Sequence, residues 1–307
     1  MKPQARRAAV DFTRASYRVS KTRACGLMSL AVSSYHYRTR STRPEAPLRA
    51  ALRQHAHTRR RWGYRRLLVL LRREGFADNH KRVHRIYCAE GLQVRQRRRR
   101  KQRLARGAER PATPTAPNQR WSLDFVHDRM INGRALRLLT IVDDFTRECL
   151  WIEADTSLSG PRVTRVLDQV AELRGRPASV LTDNGPEFAG VALERWTHDH
   201  RVQHRFIAPG KPSQNAYIES FNGKLRDECL NEHEFLNLGH ARDLLESFRE
   251  DYNHERPHSS LGDMTPAAFA AAKIAPPPMG GVLVSSEPSL AVENLNPQRP
   301  STRPDYH

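Results

Sequence analysis

Val180-Leu-Thr-Asp-Asn-Gly-Pro-Glu-Phe188 is a short apolar run that stops on an acid and turns at once. A strand ending this way leaves Asp183 at its carboxyl end, where open α/β sheets place their functional crevice. The Asn184-Gly185 pair permits the sharp turn that exposes the carboxylate, although an acid after a strand is equally often a plain turn former. The flanking segments decide between these readings.

Upstream, Trp121-Ser-Leu-Asp-Phe-Val126 alternates, so Asp124 faces away from the side of Trp121, Leu123 and Phe125. Asn132-Gly133 is a hairpin turn. Leu136 to Val142 and Glu148 to Ala154 are the next strands, and Val163 to Leu173 is a helix bounded by prolines. Ala178 to Thr182 is the short strand, followed by a helix from Val191 to His200 and a strand from Val202 to Ile207. Three antiparallel strands, helix, strand, helix, strand is the order of an α/β ribonuclease H-like core with a mixed five-stranded sheet and flanking helices.

Downstream, Asn215-Ala-Tyr-Ile-Glu-Ser-Phe-Asn-Gly-Lys-Leu-Arg-Asp-Glu-Cys-Leu230 reads as one helix. Ile218, Phe221, Leu225 and Cys229 form its buried stripe, and Asn215, Glu219, Asn222 and Arg226 a polar one. Gly223 is costly in a helix but leaves room for a close backbone. Three carboxylates such as Asp124, Asp183 and Glu219 can hold two divalent metals about 3.5–4 Å apart. The spacing from Asp183 to Glu219 alone proves little in a chain with 15 Asp and 18 Glu. The local contexts carry the signal.

Those contexts, with Val142-Asp-Asp-Phe-Thr-Arg-Glu-Cys149 and Tyr252-Asn-His-Glu-Arg-Pro-His-Ser-Ser-Leu-Gly262, resemble bacterial insertion-sequence transposases with a retroviral-integrase-like catalytic core. The type is the one encoded by the second of two overlapping frames, and the resemblance spans residues 43–269. It implies a DDE enzyme that cleaves element ends and joins DNA strands. In that reading Asp124 bridges two Mg²⁺ ions, Asp183 completes one site and Glu219 the other. All-oxygen ligation suits Mg²⁺ or Mn²⁺ and needs no organic cofactor. The resemblance also implies an upstream-frame product as fusion or partner, a homo-oligomer on DNA, and double-stranded terminal inverted repeats and target DNA as ligands. Asp128, Asp143 and Asp144 are nearby alternatives; the last two are expected to structure a turn with Thr146. Arg256 and His258 are expected in structural or DNA-contacting roles, because carboxylate–metal chemistry needs no His base.

Charge is unevenly placed. Residues 1–110 hold 31 Lys/Arg and 6 Asp/Glu, whereas residues 111–307 hold 21 and 27. A basic half joined to an acidic half suggests a polyanion-binding module tethered to something else. Residues 1–45 form a basic segment in which Arg23 to Tyr35 fits a short helix-turn-helix. Residues 46–110 read as a helix-turn-helix domain with a basic tail: Tyr64 to Arg73, a stop at Gly75, and a second helix after an Asn79 cap. Its candidate DNA contacts are Arg65, Arg66, Lys81, Arg82 and Arg85, then Arg97, Arg98, Arg99, Arg100 and Lys101 in the arginine run. Lys211, Asn222, Lys224 and Arg226 are further candidates around the third acid. Residues 111–119 read as a Pro-rich linker, 120–272 as the catalytic core and 273–307 as a disordered tail.

The four cysteines lack any CxxC pair. His80, His84 and Cys88 share a helical face without a fourth ligand, so no zinc site is expected. No apolar stretch is long enough for a membrane span, and a bacterial cytoplasm with the protein on the nucleoid is expected. Two other readings stay open beside the transposase: a metal-dependent nuclease of the same fold, and a non-enzymatic helix-turn-helix DNA-binding protein with an inert core.

Overall fold

The computed structural model describes residues 3–37, 44–94, 112–208 and 212–274. The arginine run with Arg97, Arg98, Arg99, Arg100 and Lys101, together with Lys211 and the tail beyond residue 274, lies outside the described residues. The chain divides into two compact units, Met1–Arg106 and Gly107–His307.

The first unit is helical. Pro3–Tyr17 (α1), Lys21–Leu27 (α2) and Val32–His36 (α3) close over a small core of Val10, Ala24, Cys25 and Leu30. Helix α1 was not expected, since Ala and Arg dominate it and only Val10 and Thr13 are buried. Ala46–Thr58 (α4), Tyr64–Arg73 (α5) and His80–Ala89 (α6) share a larger core of Leu48, Leu52, Trp62, Leu67, Leu71 and Ile86. Gly75 ends α5 with φ +89°, a left-handed value that side chains resist. Asn79 caps α6 by accepting the Lys81 N–H at 2.9 Å.

The second unit is a five-stranded sheet in the order β3-β2-β1-β4-β5. Its strands are Trp121–Arg129 (β1), Ala135–Asp143 (β2), Cys149–Asp155 (β3), Ser179–Thr182 (β4) and Gln203–Phe206 (β5). The first three pair antiparallel, while β4 runs parallel to β1 and β5 to β4. Gly160–Arg174 (α7) and Val191–Asp199 (α8) cover one face, packing on Trp121, Leu123, Leu139 and Val180. Ala216–Leu225 (α9) and Leu238–Glu250 (α10) cover the other, packing on Val126, Leu138 and Val142. Alternation along β1 therefore puts Asp124 on the α9 face, away from its aromatic neighbours.

The expected single helix to Leu230 is in fact α9 followed by a π-helical turn, Arg226–Leu230. The extra residue per turn accompanies burial of Cys229 beside Leu230. A second π turn, Asp251–Glu255, follows α10. The two turns are joined by Arg256, which is 1% exposed and donates to both carboxylate oxygens of Glu228. Next to it, Asn253 accepts from the Cys149 N–H at 2.9 Å and donates to the Cys149 carbonyl at 2.8 Å. That amide supplies two ladder bonds to β3, an edge strand with a register shift beside Val142. A last helix, Pro266–Ile274 (α11), completes the described chain.

Candidate active site

Asp124 sits mid-strand on β1, opposite Thr140 of β2. Its Oδ1 accepts the Phe125 N–H at 2.8 Å, and its Oδ2 accepts the Asn222 amide at 2.8 Å. The Thr140 hydroxyl lies 3.0 Å from Asn222 Oδ1 and 3.1 Å from the Asp124 carbonyl. Strand, strand and helix are thus tied at one point. Burial pushes the Asp124 carboxyl up to about 6; the Phe125 N–H opposes this, the Asp183 charge adds to it, and Glu219 contributes in the same direction. Carboxylates from the end of β4 and the first turn of α9 therefore both act on Asp124 of β1.

Asp183 follows β4 directly, and its Oδ1 accepts the Gly185 N–H at 3.0 Å. A Cβ added at Gly185 would stand 3.0 Å from that same oxygen. Glycine lets the carboxylate fold back over the turn. The rest of the loop is clamped: Glu187 accepts from Arg137 at 2.6 Å, Arg137 lies over the Phe125 ring, and Phe125 stacks on buried Phe188 at 4.8 Å. Glu187 is held below the usual carboxylate range, chiefly by the Arg137 hydrogen bond.

Glu219 is exposed, one turn after Asn215. Asn215 is 4% exposed, and its Oδ1 has no hydrogen-bond partner. Gly223 has nothing within 4 Å of a built Cβ, so this stretch of helix surface is open. Arg226 is exposed; Lys224 bonds Ser220 Oγ at 3.1 Å and lies over the Tyr252 ring.

Several sequence expectations meet specific partners. Asn222, expected at DNA, has its amide engaged by Asp124 and Thr140. Asp143 accepts the N–H groups of Asn118, Phe145 and Thr146 at 2.7, 2.8 and 3.0 Å, and Asp144 pairs with buried Arg120 at 2.5 Å. Asp143 structures the turn with Thr146, as expected, whereas the Asp144 carboxylate is held instead by Arg120 and by Ser122 of β1. Arg256 is likewise structural. In the helical unit, Arg82 pairs with Asp78 at 3.1 Å and Arg85 with Glu45, whereas Arg65 and Lys81 are exposed and Arg66 is half-buried. His84 and Cys88 approach to 3.6 Å. Among the described residues no three His, Cys, Asp or Glu side chains lie close enough to hold a single ion. Thr140, Arg137 and the Arg256–Glu228 pair were missed from sequence, since each depends on a partner distant in the chain.

The integrase core domain family matches residues 114–212, and a second integrase core model matches 200–266. An HTH-like domain matches residues 43–100. An insertion element IS407 protein of Burkholderia multivorans is 50% identical over 253 residues, covering 82% of this chain and 91% of that protein. An insertion element IS476 protein of Xanthomonas euvesicatoria is 47% identical over 269 residues, covering 88% of this chain and 78% of that protein. The chain belongs to the insertion-sequence transposase family.

Among solved structures, the catalytic core of HTLV-2 integrase in complex with magnesium superposes with a TM-score of 0.42 at 17% identity, covering 50% of this chain and 97% of that one. The transposase carries an integrase-like ribonuclease H fold, C-terminal in sequence to its helical unit. No helix among the described residues is long and apolar enough to cross a membrane.

Proposed function

We propose that this transposase cuts its element's ends and joins them to target DNA at Asp124, Asp183 and Glu219, with two divalent ions, Mg²⁺ or Mn²⁺, held between them. The observation that supports the reading is that Asp124, half-buried on β1 and oriented by Asn222 of α9, feels the charges of both Asp183 and Glu219 on top of the larger effect of burial. The donor set fits hard cations: oxygen ligands only, on a half-buried carboxylate whose ionised form is disfavoured until positive charge arrives. Asp124, Asp183 and Glu219 would supply the carboxylate oxygens that hold such ions, and the ions would bring positive charge to a DNA phosphate at this place.

When bound, such ions activate the attacking hydroxyl and stabilise charge on the leaving oxygen. The chain's own residues prepare the place. Asn222 fixes the Oδ2 face of Asp124, Thr140 fixes Asn222, and Gly185 shapes the turn under Asp183. Open space at Gly223 admits a sugar-phosphate backbone, where exposed Arg226 supplies charge. The basic helical unit holds duplex DNA through Arg65 and Lys81, and the protein works as an oligomer, alone or with an upstream-frame product.

Asp183→Asn keeps shape and removes one negative ligand. Cleavage of end DNA in Mg²⁺ should collapse while binding of the same DNA survives. A variant that cleaves at the parent rate would remove Asp183 from the site.

A further inference from the structure

The geometry points to a second DNA-binding module in this transposase: the α1–α3 unit, which lies ahead of the HTH-like match at residues 43–100. It rests on the DNA-processing reading above. The supporting pattern is a turn between two short helices. Helix α2 runs to Leu27, Ser29 takes a left-handed φ of +48°, and α3 begins at Val32. A left-handed residue between the two helices is what a tight helix-turn-helix corner requires, and glycine usually supplies it. Small Ala24 and Cys25 are buried inside α2, and Leu30 closes the corner from the other side. These positions let the two helices cross closely.

The arginines of the unit divide into two jobs. Arg6 donates to the Ser29 carbonyl at 3.0 Å, and Arg7 donates to the Ser34 carbonyl through two nitrogens at 3.0 and 2.8 Å. Arg14 reaches the Tyr35 hydroxyl at 3.3 Å. Three side chains of α1 therefore fix the corner and the far end of α3. Arg18 and Arg23 instead project into solvent. The outward side of α3 shows Ser33, Ser34 and His36, the last 3.0 Å from Lys21 Nζ, with exposed Tyr37 just beyond the helix end. With six Lys/Arg against one Asp across residues 3–37, the complementary partner is a polyanion. A rigidly held short helix with polar outward groups and flanking arginines suits duplex DNA, with phosphates positioning it and base edges read by α3. Each protomer would then grip an element end at two points, one per helical group.

The test uses the full chain and duplexes of the DNA flanking its gene, in metal-free buffer so that nothing is cut. Hydroxyl-radical protection and the salt dependence of binding are measured for the parent, Arg18→Ala/Arg23→Ala, Ser33→Glu and Arg65→Ala/Lys81→Ala. All the substituted residues are exposed, and unchanged melting confirms folding. The expected result is two blocks of protection. The first two variants should erase one block, and the arginine pair should flatten the salt slope by about 0.9 per lost phosphate contact. The Arg65/Lys81 variant should erase the other block. If only that variant changes the footprint, the α1–α3 unit is not a DNA module. If no variant changes it, the DNA-binding reading of the whole helical half fails as well, and that outcome is distinguishable from the first.

Discussion

Asn222 donates its side-chain amide to Oδ2 of Asp124 at 2.8 Å, joining a helix residue to a strand residue ninety-eight positions earlier. The bond leaves Asp124 one oriented carboxylate face and fixes α9, which carries Glu219, against β1. Groups that orient a metal-ligating side chain typically contribute about 10–100-fold in affinity or activity. Asn222→Ala should lower the cleavage rate by about that factor and raise the Mg²⁺ concentration needed for half-maximal rate. Thr140→Val should act through the same bond, so the double variant should fall well short of the summed losses. Additive losses, or an unchanged Mg²⁺ requirement, would separate Asn222 from Asp124.

Asp124 makes stability depend on pH in the metal-free protein. Its carboxyl is raised from 3.8 to about 6, so the folded chain favours the neutral form. The stabilising contribution is fully present below about pH 4 and is lost as pH rises through about 6. At 1.36 kcal/mol per unit, and allowing for screening at a half-buried site, the loss is on the order of 1–3 kcal/mol. Asp124→Asn mimics the neutral form and should be the more stable protein at pH 7, with the gap closing at pH 4. Thermal melts of both proteins without metal across this range check the sign. A gap that does not change with pH would refute it.

Gly185→Ala tests the turn under Asp183. The new methyl group would meet the carboxylate oxygen at 3.0 Å and displace it. Because the turn is at the surface, melting should move by no more than about 0.5 kcal/mol. Cleavage should fall by tenfold or more, given that a misplacement of about 1 Å can cost on the order of 100-fold. Single-turnover cleavage beside a DNA-binding titration shows whether the loss is confined to chemistry.

Glu219 and Arg226 lie two turns apart but should fail differently. Glu219→Gln removes a proposed ligand and should be inactive at every DNA and Mg²⁺ concentration. Arg226→Ala removes a proposed charge-assisted phosphate contact, of a kind worth on the order of 1.5–3 kcal/mol. Its activity should recover at low salt or high DNA concentration, since the lost attraction is screened by ions. A salt series on both variants decides the matter; equal, salt-insensitive inactivity would give Arg226 a different role.

What the sequence disclosed divides along physical lines. Alternation in Trp121 to Val126 told which way Asp124 points, because a strand's two faces are set by local geometry. The run ending at Asp183-Asn-Gly185 disclosed a strand end for the same reason. Thr140 escaped because its place opposite Asp124 depends on hairpin register, which neither strand contains alone. The amide of Asn222 seemed free for DNA because the polar stripe of α9 does not reveal that one of its members touches the sheet. The burial of Arg256 was hidden as well, since a fully enclosed arginine depends on Glu228, a partner from another segment.

That last pair has a consequence for the order in which the protein becomes competent. The helix bearing Glu219 is made before the residues that hold its far end: Tyr252, which packs on Phe221 with ring centres 4.8 Å apart, and Arg256, which grips Glu228. Domains gain structure from the N-terminal side during synthesis, so a growing chain already displays its helical unit, Asp124 and Asp183 while α9 still lacks its clasp. On the function proposed above, the DNA-holding unit is therefore made before the cutting centre, whose last helix gains its clasp only once Arg256 has been synthesised.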